Sequence, residues 1–132
     1  MAHKYLEELR GYEPLFTDEE LENDSRNERW RKQTEIYGFN DTETWDMDRT
    51  FYLWLYEHLR MYEEVASDIV DLNYHKFSFK GKKYTQLELI HLIMDKIKFY
   101  FSTEYDDFDG SHYNKIKEIG EIWAMLLPSM WW

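Results

Sequence analysis

Hydrophobic residues return every three or four positions along most of the chain, and this spacing is typical of helices with one buried face. The longest such stretch predicts a helix over residues 47–70, with His58 in the middle of its apolar face. A second helix is predicted over residues 85–102, and a third from about residue 111 to Pro128, which would end it. The spacing therefore favours a mainly helical fold.

The first third of the chain is more polar, and its capping residues define the predicted elements. A short helix is predicted over residues 3–10. Thr17-Asp18-Glu19-Glu20 has the pattern of a capping box, in which Thr17 and Glu20 cap each other's backbone at a helix start. The helical stretch that begins there extends to Gly38, a residue suited to a helix C-cap. Whether Asn23-Asp24-Ser25 divides it into two helices stays open.

Alternation replaces helical spacing between Lys76 and Tyr84. Phe77 and Phe79 alternate with polar residues, Gly81 supplies a turn, and a second short strand follows, which predicts a β-hairpin. The predicted fold class is mainly α: a compact helical bundle of about four to five helices with one small β-hairpin at about residues 75–84. All of it is expected to form a single acidic helical domain of residues 1–132.

Composition supports a folded chain and excludes several kinds of chemistry. The 132 residues include six Trp, eleven Tyr and eight Phe, whereas disordered chains are poor in aromatic residues. Cysteine is absent, so disulfides, thiolate metal sites and cysteine nucleophiles are excluded. No segment has the pattern of a signal peptide or a membrane span, so neither is expected.

Charge is the other unusual property, because the formal net charge is -11. Residues 1–50 carry 14 acidic and 7 basic residues, residues 51–100 carry 7 of each, and residues 101–132 carry 6 and 2. The acidic excess therefore lies toward both ends, and the middle is neutral with lysines in the predicted hairpin. Such a balance argues against a phosphate-binding surface and favours a basic partner.

Some acidic residues and one histidine have the types and spacing of metal ligands. Glu88 and His91 are three residues apart, as in helical di-iron sites, and Asp95 follows one turn later. Glu118 and Glu121 resemble part of the carboxylate set with which helical nucleotide pyrophosphohydrolases hold Mg²⁺. On a helical wheel these residues lie away from the apolar faces, so surface charge is the favoured interpretation. The expected metal and cofactor content is none.

Two further segments are candidates for contacts with a partner. The acidic run that contains Asp106, Asp107 and Asp109 does not fit a calcium-binding loop in register, and an acidic turn before a helix is the simpler interpretation. Trp131 and Trp132 either fold back as a core plug, the favoured alternative, or anchor a partner or a homodimer.

The segment from Gly38 to Thr50 resembles small uncharacterised proteins of phages and prophages of Gram-positive bacteria. These proteins carry a Gly-Phe-x-Asp-x-Glu-Thr-Trp run followed by hydrophobic-Asp-x-Thr and a long helix. The run corresponds here to Gly38 to Trp45, and Met47 takes the hydrophobic position. The resemblance carries no activity or functional residue with it. It implies a protein that works in the bacterial host cytoplasm.

The leading hypothesis is a non-enzymatic interaction protein of phage type. Its acidic surface would imitate nucleic-acid phosphates and inhibit a basic host protein, such as a nuclease or another DNA-binding enzyme, in the manner of anti-restriction or anti-CRISPR proteins. Direct binding to nucleic acid or a membrane is not expected. One alternative is a metal-dependent helical nucleotide hydrolase built on Glu57 and the five candidate ligands above. Another is a structural or scaffold protein of the virion. The expected partner-binding residues are Asp18, Glu19, Glu20, Glu22, Asp46, Asp48, Asp106, Asp107, Asp109, Trp131 and Trp132.

Overall fold

The protein is mainly helical with one antiparallel β-hairpin, as the sequence predicts. The computed structural model describes residues 2–102 and 111–132, apart from the side chains of Ser111 and His112. Short 3₁₀ helices span Lys4–Glu8, Asp41–Thr44 and Leu127–Ser129. In the described residues, five α-helices and two strands occur in the order α1 (Asp18–Glu22), α2 (Asn27–Tyr37), α3 (Met47–Ala66), β1 (Lys76–Phe79), β2 (Lys82–Thr85), α4 (Gln86–Ser102) and α5 (Ser111–Leu126).

The chain divides into two compact units. The larger unit comprises Met1–Tyr12 and Leu55–Trp132, and the smaller unit comprises Glu13–Trp54. The sequence-based expectation of one domain stays a prediction. None of the helices in the described part of the chain is long and apolar enough to cross a membrane.

The core of the larger unit lies where α4 packs against α5. Helical spacing places the apolar residues of α4 on one broad face, and those of α5 form a narrower stripe. For α5 the helical spacing predicts a face of Ile116, Ile119, Trp123 and Leu126 or Leu127. Ile116, Ile119 and Leu126 are buried as predicted, Ile122 is buried as well, and Leu127 is exposed. The largest fully buried side chains described in the larger unit are Leu55, Tyr56, Leu59, Leu89, Ile90, Ile93, Ile97, Ile119, Ile122 and Leu126.

The hairpin and α4 follow each other without a linker. Lys76 pairs with Thr85 and Phe79 with Lys82, and the turn residues Lys80 and Gly81 both have positive φ, as in a type I′ turn. The backbone N–H of Thr85 donates to Glu88 Oε1 at 2.9 Å, and the N–H of Glu88 donates to Thr85 Oγ1 at 3.1 Å. This capping box starts α4 at the residue after the strand.

In the smaller unit, the polar stretch forms two helices. Thr17 Oγ1 accepts a hydrogen bond from the N–H of Glu20, whose side chain accepts one from the N–H of Thr17, so the predicted capping box starts α1. Asn23 then ends α1, because its side chain donates to the carbonyl of Glu19. Gly38 ends α2 with φ of 85°, a left-handed conformation that glycine adopts without strain.

The long helix α3 differs from its prediction in two ways. It ends at Ala66, not at residue 70, and His58 is exposed, not part of the core. The buried face runs through Leu55, Tyr56 and Leu59 instead. Tyr56 lies on this face because its hydroxyl donates to Glu8 at 2.7 Å, which lets a polar group be buried with its hydrogen bond made.

Candidate functional site

The first acidic segment of the predicted site is α1. Asp18, Glu19 and Glu22 are exposed and make no ion pair with any described residue. Glu20 is exposed too, but its carboxylate completes the capping box with Thr17. Three carboxylates of this segment are therefore presented to solvent, and one has a role in folding.

The second acidic segment lies at the start of α3. Asp46 caps the helix: its Oδ1 accepts the N–H of Arg49 at 3.3 Å, and its carbonyl accepts the N–H of Thr50 at 3.1 Å. Asp48 is exposed in the first turn, where the helix dipole favours a carboxylate. Both carboxylates are exposed; Asp46 caps the helix through hydrogen bonds, and Asp48 contributes only through the helix dipole.

A cluster of aromatic rings joins the two acidic segments. The ring of Phe16 lies 5.5 Å from that of Trp30 and 6.0 Å from that of Trp45, and the two Trp rings are 6.1 Å apart. Arg49 Nη2 also donates to the carbonyl of Glu13 at 2.7 Å. Phe16 precedes α1 by two residues and Trp45 precedes α3 by two, so these contacts bring the starts of the two acidic helices together.

The guanidinium of Arg26 makes cation–π contacts with the rings of this cluster. Its guanidinium carbon is 4.8 Å from the ring centre of Trp30, 5.2 Å from that of Trp45 and 5.9 Å from that of Phe16. Asp24 holds this guanidinium through hydrogen bonds from Nε at 3.0 Å and Nη2 at 2.8 Å. These hydrogen bonds lower the pKa of Asp24 to about 2, so its carboxylate stays charged across the ordinary pH range.

The segment from Gly38 to Thr50 has a structural role in this unit. Asp41 accepts hydrogen bonds from Trp30 Nε1 at 3.0 Å and Gln33 Nε2 at 3.1 Å, and Arg29 forms an ion pair with it at 2.9 Å. Partial burial raises the pKa of Asp41, but the hydrogen bonds from Gln33 and Trp30 and the charge of Arg29 hold it below its usual value. The Asp and Trp of the motif therefore fix this loop against α2.

Charge in the smaller unit is segregated along the chain. Residues 13–54 contain twelve acidic and five basic residues, net -7 of the chain's -11. Within residues 24–41 four acidic and four basic residues balance, and the structure pairs them with one another. The whole excess therefore lies on residues 13–22 and 43–49, which the ring cluster joins. We call these two segments the acidic surface.

The remaining predicted partner-binding residues are distant from the acidic surface in sequence. Asp106, Asp107 and Asp109 lie outside the described residues. Trp131 and Trp132 belong to the larger unit, and 78% and 57% of their surfaces are exposed. The favoured core-plug interpretation is therefore wrong for these two side chains, and a role as exposed anchors stays a prediction.

The candidate metal ligands take separate partners. His91 lies 2.7 Å from Glu63 Oε1, Glu57 lies 2.9 Å from His3 Nδ1, and Glu88 caps α4. Glu118 pairs with Lys80 and, at 2.8 Å, with Lys96, and these hydrogen bonds lower its pKa. Asp95 and Glu121 are exposed. Among the side chains that the structure describes, no group of three His, Asp or Glu could hold a metal ion.

Two features were not predicted from the sequence: the ring cluster around Arg26, and a cavity that Trp131 lines in the larger unit. Phe16, Arg26, Trp30 and Trp45 are spread over thirty residues without a common period, although a sequence so rich in tryptophan gives a weak signal for such a cluster. No family model, curated protein or solved structure matches this chain. The resemblance to phage proteins stays an expectation.

Proposed function

We propose that this protein is a small, non-enzymatic interaction protein whose acidic surface occupies the nucleic-acid channel of a basic host enzyme. The observation that carries the proposal is the charge segregation in the smaller unit. All of its excess of seven negative charges lies on residues 13–22 and 43–49, while residues 24–41 neutralise themselves. A surface of one sign steers a partner of opposite sign and keeps like-charged molecules away.

The ring cluster is a second observation, beside the charge segregation, that supports mimicry. It joins the two acidic segments through side chains that contact one another across the sequence, so the carboxylates are held on an ordered scaffold. An ordered surface loses less conformational entropy on binding than a disordered acidic tail does. A nuclease or another DNA-binding enzyme presents the matching basic channel. Because residues 38–50 resemble a segment of phage proteins, we propose anti-restriction or anti-CRISPR activity as the specific function.

The test is binding at low salt to a panel of nucleic-acid enzymes that includes restriction endonucleases and guide-loaded CRISPR nucleases. We expect at least one member to bind, duplex DNA to compete with the protein for it, and affinity to fall as salt rises. The variant Asp18→Asn/Glu19→Gln/Glu22→Gln removes three exposed charges that have no described ion-pair partner. It should weaken binding by about tenfold or more.

A matched control carries the same change in net charge in the larger unit. Glu7→Gln/Asp68→Asn/Asp95→Asn also replaces three exposed carboxylates, and it should bind nearly as the unmodified protein does. An equal loss in both triple variants would mean that net charge alone matters and would overturn the assignment of the acidic surface. Absence of binding to every enzyme of the panel at low salt would overturn the proposed function.

A further inference from the structure

A cavity of about 300 Å³ opens in the larger unit. Its walls come from α3, from the segment after it, from the start of α4 and from the end of the chain. This volume is at the small end of the range for ligand pockets and suits a group of a few heavy atoms. The lining residues that decide its chemistry are Tyr62, Asp71, Tyr74, His75, Gln86 and Trp131.

The floor of the cavity is a buried amide with little hydrogen-bonding capacity left. Gln86 is 3% exposed; its Nε2 donates to Ser129 Oγ at 3.1 Å and to the carbonyl of Ser129 at 3.3 Å. Its Oε1 accepts the hydroxyl of Tyr62 at 3.3 Å, and burial raises the pKa of Tyr62, so this hydroxyl keeps its proton. A ligand that needs several directed hydrogen bonds would therefore find few partners at this floor.

The walls offer aromatic rings and one carboxylate instead. Tyr74 is 73% exposed and Trp131 is 78% exposed, so most of both side chains is accessible. Asp71 makes no ion pair with any described residue; its Oδ1 accepts the N–H of Asn73 at 2.9 Å. Lys76, the lysine nearest to Asp71 in sequence, donates to the carbonyl of Asn73 and forms no ion pair with Asp71.

The loop that carries Asp71 and Tyr74 is held against α4. The N–H of Leu87 donates to the carbonyl of Leu72 at 3.1 Å, and the N–H of Gln86 donates to the carbonyl of His75 at 3.3 Å. A hydrogen bond at 3.1 Å from the N–H of Tyr74 to the carbonyl of Asp71 closes the turn between them. The backbone of the loop that carries Asp71 and Tyr74 is thus held in place before any ligand arrives.

From these observations we propose that the cavity binds an organic cation, an alkylammonium or guanidinium group, between its aromatic walls and Asp71. Aromatic rings attract cations through the negative charge of their faces, and a neighbouring carboxylate adds a counter-charge. The same carboxylate disfavours an anion such as a nucleotide phosphate. This inference is independent of the proposed function, because the acidic surface lies in the other unit.

The experiment is an NMR titration of the full chain with choline and with its neutral isostere 3,3-dimethylbutan-1-ol. Choline should shift the side-chain amide of Gln86 and the indole N–H of Trp131 at millimolar concentrations, and the isostere should shift them much less. Acetylated amides of arginine and lysine form a second arm. Tighter binding of these amides than of choline would identify a basic side chain of a partner as the source of the cation, and the reverse would identify a small molecule.

Variants with matched controls complete the test. Trp131→Ala should weaken choline binding about two- to fivefold and Asp71→Asn about three- to fivefold, as expected for one partly exposed cation–π contact and one partly exposed charge. Trp132→Ala and Asp68→Asn change exposed neighbours outside the cavity lining and should leave binding unchanged. Equal binding of choline and the isostere, no shift at Gln86 and Trp131, or equal losses in the control variants would overturn the proposal.

Discussion

The guanidinium of Arg60 binds the carboxylate of Glu8 through two hydrogen bonds, Nε to Oε1 at 2.7 Å and Nη2 to Oε2 at 2.8 Å. The hydroxyl of the buried Tyr56 donates to the same carboxylate. This arrangement ties the first 3₁₀ helix to α3 across about fifty residues of sequence. The hydrogen bonds from Arg60 lower the pKa of Glu8 to about 2, from 4.5.

The depressed pKa of Glu8 makes part of the stability depend on pH. Because the folded state holds the carboxylate charged, the pair stabilises the fold above about pH 4.5 and loses this contribution as pH falls toward 2. We expect Glu8→Gln to lower the free energy of unfolding by about 1 kcal/mol at neutral pH, since the pair is partly exposed. The difference should shrink through that window in urea unfolding curves. Glu7→Gln, which changes an exposed neighbour without an ion pair to any described residue, is the control and should leave the free energy of unfolding at neutral pH nearly unchanged.

Gly11 is required both by its backbone and by its surroundings. Its φ is 85°, and a Cβ added there would lie 2.3 Å from the carbonyl oxygen of Phe101. Gly11→Ala should lower the free energy of unfolding by about 2 kcal/mol or more, because backbone strain and a clash with main-chain atoms add. Thermal unfolding measures the effect.

Two other glycines separate these causes. Gly38 has the same φ, but a Cβ added there would lie in open space. Gly38→Ala should therefore lower the free energy of unfolding by about 1 kcal/mol from backbone strain alone. Gly120 lies inside α5 with open space, so Gly120→Ala should stabilise the helix by about 0.5–1 kcal/mol. If Gly11→Ala lowered the free energy of unfolding no more than Gly38→Ala does, the close approach of the Phe101 carbonyl to Gly11 would be contradicted.

Gln86 and Tyr62 should be energetically coupled through the hydrogen bond between them. Gln86→Leu leaves both the hydroxyl of Tyr62 and the Ser129 groups without their buried partner, so a loss of about 1–3 kcal/mol in the free energy of unfolding is expected. Adding Tyr62→Phe removes one of the orphaned groups. The double variant should therefore lose less than the two single variants together, and additive losses in urea unfolding would contradict the coupling.

Local patterns were enough to predict much of this fold. The Thr17 capping box, the Gly38 cap, the hairpin and the helical spacing of α4 and α5 depend on residues within a few positions of one another, so their signals survive in the sequence. The placement of His58 on α3 was wrong, because the buried face of this helix includes Tyr56, whose partner Glu8 lies 48 residues earlier. Helical spacing placed His58 on the buried face and gave no signal for Tyr56.

The candidate site was predicted in its residue types but not in its geometry. Asp18, Glu19, Glu22 and Asp48 are exposed as expected, but nothing in their spacing indicates that Phe16 and Trp45 bring the two segments together. Charge counts along the chain also could not show that residues 24–41 pair internally, which leaves the excess on either side. That distribution depends on which arginine meets which carboxylate in three dimensions.

Glu22 and Asp48 allow the folding and binding roles of the acidic surface to be separated. Asp48 lies in the first turn of α3, where the helix dipole stabilises a negative charge, and Glu22 is the last residue of α1, where the dipole opposes one. Asp48→Asn should therefore lower the free energy of unfolding by about 0.3–1 kcal/mol, while Glu22→Gln should leave it unchanged or raise it by a few tenths. Thermal unfolding at low salt measures both changes.

The binding measurements then give the decisive comparison. If a partner uses the acidic surface, both substitutions should weaken binding at low salt, although Glu22→Gln costs the fold nothing. Loss of binding without loss of stability would place the role of the Glu22 charge in recognition. If Glu22→Gln instead destabilised the chain as much as Asp48→Asn, Glu22 would have a folding role, and the charge at the end of α1 would need no partner to explain it.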